Sequence, residues 1–366
     1  MPQLTIYHLT FPHGIHIGAG GVESVEESRE SVPSDTLFAA LLDTWRHLGR
    51  DVNKILPENG EPAFRVTSAF PFAGGVRFYP KPVDLRELFK EKTLKAESAG
   101  KRLKKIRYVS EKLLLKAAGG EYLDGFLFPE DENKDPKTGI ALQGGAFWML
   151  PDEIQDLPEA WRLPEKDWWL LRRKKVYDTQ TAPRVTVDRV SSASNLFQSE
   201  RVVFNAGCGL WFGAVAVGQT FSLSELLTVL GDSGLGGERT AGYGHFTWEP
   251  KGELPLNAPQ SAAYLLSRWH PKADEISLLQ RNSAYKLEAV EGWLRTPENA
   301  AAQRRKRLWL VSEGSLIAGN PQGDAANVTP EYEDKEKPGT YIRSIPHNVY
   351  RPGFALALNW KRKVTP

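Results

Sequence analysis

Between an amphipathic helix and an alternating strand the chain runs Gly234-Leu235-Gly236-Gly237-Glu238-Arg239-Thr240-Ala241-Gly242-Tyr243-Gly244-His245-Phe246. Glycine enters positive φ freely and has no Cβ to hold another backbone away, so helix and strand must be joined here by a tight, closely packed bend. The bend either reverses the chain into Phe246 and Trp248 and nothing more, or takes a ligand backbone, such as a line of phosphates, against its amides. Arg239 suits the second role, because its planar fork grips a phosphate with two hydrogen bonds or stacks on a base. A glycine motif alone does not decide between the two.

The flanking segments predict the architecture. Residues 4–10 alternate as a strand ended by Phe11-Pro12-His13-Gly14. Pro33-Ser34-Asp35 supplies N-cap chemistry, with Asp35 read as a cap, for a helix whose Leu37, Leu41, Trp45 and Leu48 recur at helical spacing and close at Gly49. Residues 65–72 and 76–79, split by Ala73-Gly74-Gly75, form a hairpin. Residues 202–217 read as strand turning at Gly207 to Gly209. Ser222-Leu223-Ser224-Glu225 reads as a capping box for a helix with Leu223, Leu226, Leu227 and Leu230 buried and Gly231 at its end. Residues 245–248 close the unit. The order βαββαβ predicts an α+β fold of ferredoxin-like (RRM-like) type over 1–249, with helices on one sheet face and the other face open to a ligand.

Residues 85–180 interrupt that order. Residues 90–118 read as a basic helix, with eight basic and two acidic residues in 95–116. Residues 119–164 are polar, acidic and turn-rich, and the whole is expected to be an insertion rather than core. Arg184-Val185-Thr186-Val187-Asp188-Arg189 alternates so that its valines face a core. After the linker-like Pro250-Lys251-Gly252-Glu253-Leu254-Pro255, segments 262–270, 285–293, 308–311 and 354–358 are candidate strands of a second ferredoxin-like unit, 256–366.

Net charge is only +2, from 47 basic and 45 acidic residues, which excludes a polycation that coats any nucleic acid. The asymmetry is local: Arg172-Arg173-Lys174-Lys175, Arg304-Arg305-Lys306-Arg307 and Lys361-Arg362-Lys363 are basic, whereas 121–135 holds six acids and one lysine. Basic clusters beside a glycine bend, with 11 Trp and 11 Tyr available for stacking, point to RNA. Cys208 is the only cysteine, which excludes disulfides and cysteine zinc sites, and its apolar surroundings predict a buried, inert thiol. The seven histidines show no metal-ligand spacing, and there is no H-E-x-x-H, Walker A lysine or nucleophile elbow. Gly18-Ala19-Gly20-Gly21 fails as a dinucleotide fingerprint, because Glu23 replaces the third glycine and no helix opens after it. No metal or cofactor is expected. Met1 to Thr5 carries no basic or apolar leader, and no stretch approaches the roughly 18 apolar residues a membrane span needs, so a cytoplasmic protein without membrane contact is expected.

Taken together, Ser34-Asp35-Thr36-Leu37-Phe38, Pro183-Arg184-Val185-Thr186-Val187-Asp188-Arg189, Gly207-Cys208-Gly209-Leu210-Trp211-Phe212 and the glycine bend resemble the RAMP superfamily of CRISPR proteins. Within it the likeness is to the subunit that binds the crRNA 5′ tag in the type III-A Csm effector complex. Glu291-Gly292-Trp293, Ser312-Glu313-Gly314-Ser315 and Val349-Tyr350-Arg351-Pro352-Gly353-Phe354-Ala355 resemble that subunit's carboxy-terminal domain, so the resemblance spans most of the chain outside 85–180. Thr240-Ala241 departs from it, since the family more often has two serines there.

The resemblance implies a non-catalytic RNA-binding protein. It would hold the repeat-derived 5′ tag of crRNA between its two domains and contact a large polymerase-like subunit and a backbone RAMP subunit. Gly234, Gly236, Gly237, Arg239, Gly242 and Gly244 would cradle the RNA backbone. His16, Ser34, Arg184, Arg189, Ser192 and Asn195 would be further contacts. Two alternatives stand beside it. One is a metal-independent crRNA-processing RAMP endonuclease with His16, or His13, as general base. The other is the equivalent tag-binding subunit of a type III-B complex, differing only in its partners.

Overall fold

The computed structural model describes residues 3–18, 27–57, 61–131, 134, 136–187, 194–217, 222–280, 282–296, 299–333, 339–343, 345 and 347–363. Up to residue 255 the chain forms β1 (Gln3–Thr10), α1 (Ser34–His47), β2 (Phe64–Val66), β3 (Phe70–Ala73), β4 (Val76–Pro80), α2 (Glu91–Lys95), α3 (Glu97–Lys105), β5 (Tyr108–Ser110), α4 (Glu111–Ala118), β6 (Ile140–Leu142), β7 (Phe147–Met149), β8 (Tyr177–Val187), β9 (Ser194–Phe204), β10 (Cys208–Ala216), α5 (Ser224–Ser233) and β11 (Thr247–Pro255).

One sheet organises this part. Its order is β11-β1-β10-β3-β4-β5-β7-β6, with β2 pairing β10 off that path. β1 lies antiparallel to both β10 and β11, with His8 opposite Trp211 and Glu249. α1 packs beside α5, the two helices connecting the central strands. Leu210, Trp211 and Phe212 of β10 are all fully buried. Successive strand residues point to opposite faces, so the sheet is covered on both sides at its centre. The open ligand face expected from the element order is therefore absent there, and the site lies elsewhere. Cys208 is buried, and burial pushes its thiol up to about 12.

The 85–180 segment is core-forming, not a mere excursion. β5 pairs antiparallel with β4 and parallel with β7, and Phe147, Trp148 and Met149 are fully buried in the common hydrophobic cluster. The expected 90–118 helix is broken at β5, because Tyr108 and Val109 gain more from sheet pairing and burial than from continuing a helix. Ser110 then caps α4 by accepting from the Leu113 amide at 3.5 Å. No capping box opens α5: Leu223 stands at its N-cap, and Glu225 pairs with Arg50 at 2.6 Å. Gly231 lies inside α5, where a Cβ would come 2.5 Å from the Phe246 carbonyl oxygen.

β8 and β9 pair over their whole lengths, from Tyr177 opposite Phe204 to Val187 opposite Ser194. Tyr177, Val202 and Phe204 anchor the base of this hairpin in the core, but Val185 is 58% exposed. Val185, expected to face a core, thus does not.

Beyond residue 255 the chain is strand-rich: β12 (Ala262–Leu265), β13 (Leu287–Val290), β14 (Trp293–Thr296), β15 (Asn299–Arg304), β16 (Leu308–Val311), β17 (Leu316–Ala318), β18 (Ala325–Asn327), β19 (Glu331–Glu333), β20 (Tyr341–Arg343), β21 (Tyr350–Pro352) and β22 (Ala357–Trp360). β17-β12-β22 form a small sheet and the others pair two by two. Among the described residues this half has one 3-10 segment, Ala273–Leu279, and no α-helix, so a second ferredoxin-like unit is not seen in its helices. A small cluster of Leu265, Trp269, Val311, Ile317 and Ala355 is its own, but the rest of its core is shared with the first half. Tyr264, Leu358 and Trp360 join the same buried cluster as β1 and β10. The Tyr264 hydroxyl donates to the Pro80 carbonyl, and the Trp360 indole donates to Glu87 at 3.2 Å.

Candidate nucleic-acid interface

The glycine bend is folded onto the chain's own first loop. α5 ends at Gly234 with φ +82, and Leu235 donates to the Gly244 carbonyl at 2.9 Å. Gly237 donates to the His16 carbonyl and Gly244 to the Gly14 carbonyl, both at 2.9 Å. A Cβ on Gly236 would lie 2.3 Å from the His16 oxygen, and one on Gly244 2.1 Å from the Leu235 oxygen. These two glycines are thus required by the protein's own backbone. Their neighbours tell a different story: the amides of Gly236, Glu238, Arg239 and Thr240 have no hydrogen-bond partner among the described residues. They sit at the one-turn 3-10 segment Arg239–Ala241, which enters from Glu238 and leaves at Gly242 with both in the left-handed region.

This turn forms one wall of an open cleft of about 990 Å³. Thr36, Asp43 and His47 of α1 line its floor, and Trp293, Arg305 and Arg351 line the side contributed by the carboxy-terminal half. Both carboxylates on the walls are already paired, Asp43 with Arg46 at 2.9 Å and Glu291 with Arg307. Arg239 and Arg305 have no ion-pair partner among the described residues. Burial, then the neighbouring Arg351 charge, holds the half-buried Arg305 guanidinium down to about 10 against the opposing pull of Asp35, whose carboxylate is bound directly by Arg351 and Arg268. Gly292 leaves room for it, since a Cβ there would meet the Arg305 Nη2 at 2.2 Å. Trp293 is 59% exposed and carries Arg304 over its ring at 5.1 Å, a ready stacking surface.

The sequence-predicted residues divide accordingly. Gly234, Gly236, Gly237, Arg239 and His16 come together at the cleft. Gly242 and Gly244 shape the bend from behind. His16 Nδ1 lies 2.6 Å from the Glu200 carbonyl oxygen, so Nδ1 carries a proton and Nε2 is left for a ligand. Ser34 is buried and does not line the cleft. It accepts from the Arg268 amide at 2.9 Å, while its own amide donates to Ser68. Asp35 is not a cap: its side chain is fully buried between Arg351 at 2.5 Å and Arg268 at 3.3 Å. The backbones of Arg184 and Asn195 lie on the β8–β9 hairpin, and Arg189 and Ser192 fall outside the described residues. Sequence reasoning missed Thr36, Asp43, His47 and Arg305 as cleft residues. Thr36, within the Ser34–Phe38 segment, Arg305, within a basic run, and Trp293 and Arg351, within the tail segments, carried some signal; Asp43 and His47 carried none.

The sheet in which β1 lies between β10 and β11, the packed helices α1 and α5, and the glycine bend clamped on the first loop agree with the resemblance of the sequence to the RAMP superfamily of CRISPR proteins. Within that class the resemblance is to Csm4. Residues 258–360 match the family model of the CRISPR Csm4 C-terminal domain. Csm4 of Thermococcus onnurineus (strain NA1) is 26% identical over 299 residues, covering 81% of this chain and 84% of that one. Csm4 of Streptococcus thermophilus is 23% identical over 339 residues, covering 89% and 92%. In fold, the chain resembles a crystal structure of a Csm3–Csm4 subcomplex in the type III-A CRISPR-Cas interference complex, with a TM-score of 0.63, 16% identity, and coverage of 98% and 100%. Among the described residues no helix is long and apolar enough to cross a membrane.

Proposed function

We propose that this chain is a non-catalytic subunit of a type III CRISPR effector complex, of type III-A, that holds the 5′ tag of crRNA in the cleft between its two halves. There it contacts a large polymerase-like subunit and a backbone RAMP subunit. The observation that carries this reading is the pair Arg239 and Arg305, two cations lining the cleft with no ion-pair partner among the described residues, beside four amides with no hydrogen-bond partner among them. An unpaired ribonucleotide strand supplies what they lack: phosphates for the cations and amides, and bases for Trp293. Replacing Arg239 or Arg305 with Ala should weaken binding of tag-bearing RNA to the assembled complex by roughly 1–3 kcal/mol each. Unchanged affinity in both variants, by fluorescence anisotropy, would remove the cleft from the tag site.

The His16 geometry favours a second reading, an RNA-processing endonuclease. A histidine fixed through Nδ1 with Nε2 turned to a cleft is how a general base is held. Repeat RNA incubated with the protein in EDTA tests it. Intact RNA supports the binding role, and scission lost in His16→Ala supports the enzyme.

A further inference from the structure

The 85–180 segment carries a second basic cavity that shares no residue with the cleft. The helical segment Glu165–Arg173 ends against the turn Gln143–Gly145, whose three residues all have positive φ, 48°, 67° and 107°. Between them lies an opening of about 370 Å³ walled by Gln143, Gly144, Trp169, Arg172, Arg173 and Lys175, three cations and no carboxylate. Arg172 is structural, donating to the carbonyls of Pro129 and Glu130 at 3.2 and 3.4 Å. Lys175 shares its charge with Asp178 at the rim, 2.5 Å away. Arg173 is exposed, has no carboxylate partner among the described residues, and lies over the Trp169 ring at 5.1 Å.

The basic surface continues beyond the cavity. A Cβ on Gly145 would be 3.6 Å from Lys105 Cβ, so α3 adjoins the turn and adds the exposed Lys101, Lys104 and Lys105. An indole with a guanidinium on its face, leading into a line of cations, is the chemistry that stacks a nucleobase and follows its phosphates. An acidic peptide would use the cations and leave the aromatic wall idle. We propose that this cavity is a second binding site, for an unpaired polynucleotide strand, with a base on Trp169 and phosphates on Arg173 and Lys175.

The test uses the full chain carrying Arg239→Ala and Arg305→Ala, so that failure of the cleft reading and failure of this one are separable. A 5-iodouridine-bearing RNA decamer and a DNA decamer of the same sequence are photo-crosslinked and the adducts mapped by mass spectrometry. Adducts at Trp169, and affinity lowered about tenfold by adding Trp169→Ala or the exposed-site change Arg173→Glu, are expected. The two decamers report whether RNA or DNA is preferred. Adducts confined to Trp293 and the glycine bend, or affinity unchanged in both variants, would overturn the site. So would loss of a co-purifying acidic protein in Arg173→Glu with nucleic-acid binding intact. A thermal melt of each variant separates lost binding from lost folding.

Discussion

Asp35→Asn separates two accounts of the acidic residue in the first turn of α1. As an N-cap, Asp35 would be replaced by Asn almost without cost, since both cap well, and even Ala would cost only about 1 kcal/mol. The structure instead encloses the carboxylate, with 0% side-chain exposure, between Arg351 and Arg268. Neutralising it leaves two guanidiniums short of charge. Arg268 keeps Glu288 at 2.5 Å and Glu313 at 3.7 Å, but among the described residues the Arg351 guanidinium keeps only the Thr36 hydroxyl, at 3.0 Å. Breaking a buried pair costs about 3–5 kcal/mol, and the surviving partners of Arg268 place this case near the lower end, about 3. With a urea slope of about 3 kcal/mol/M, the midpoint should fall by about 1 M. Equilibrium unfolding followed by tryptophan fluorescence and far-ultraviolet circular dichroism measures it. A midpoint within about 0.3 M of the parent would refute the buried-pair argument and restore the cap.

Gly244→Ala and Gly242→Ala have similar φ, +81° and +85°, so each pays about 1–2 kcal/mol for the left-handed backbone. Only Gly244 also drives a Cβ into the Leu235 oxygen, so only that variant should open the bend, speeding exchange of the Leu235 amide and weakening tag binding; equal behaviour would show the packing argument wrong. Glu288 is half-buried, which opposes ionisation, yet Arg268 and Arg29 hold its carboxyl down to about 2. A depressed folded value means stability that is present above the unfolded value near 4.5 and lost as pH falls toward 2. Glu288→Gln should therefore be destabilised at pH 7, with the gap to the parent closing between pH 4.5 and 2; a pH-independent gap would contradict it.

What the sequence disclosed follows from signal length. α1, the β3–β4 hairpin and the β9–β10 turn all announced themselves, because each combines apolar periodicity with a breaker such as Gly49, Gly74 or Gly207. β5, β6 and β7 are three residues each, too short for any period, β5 lying inside a basic run and β6 and β7 in a polar, turn-rich stretch. Their strand identity comes from pairing with one another and with β4, a non-local cause. The bend was legible as a bend, but which of its glycines serve the protein and which amides stay available depended on the carbonyls of Gly14 and His16, which are more than two hundred positions away. The opposite wall, with Arg305 and Gly292, is likewise assembled only when the carboxy-terminal half packs on α1.

That shared packing bears on how the polypeptide reaches its final form. Trp360 and Tyr264 seal an aromatic layer begun by β4, and the Lys361 amide ties to the Ala118 carbonyl at 2.9 Å. A nascent chain that has emerged only through β11 therefore presents an unsealed greasy flank, inviting chaperones or premature self-association. Expressing either half by itself should yield insoluble material, and restoring solubility should require both pieces in the same cell.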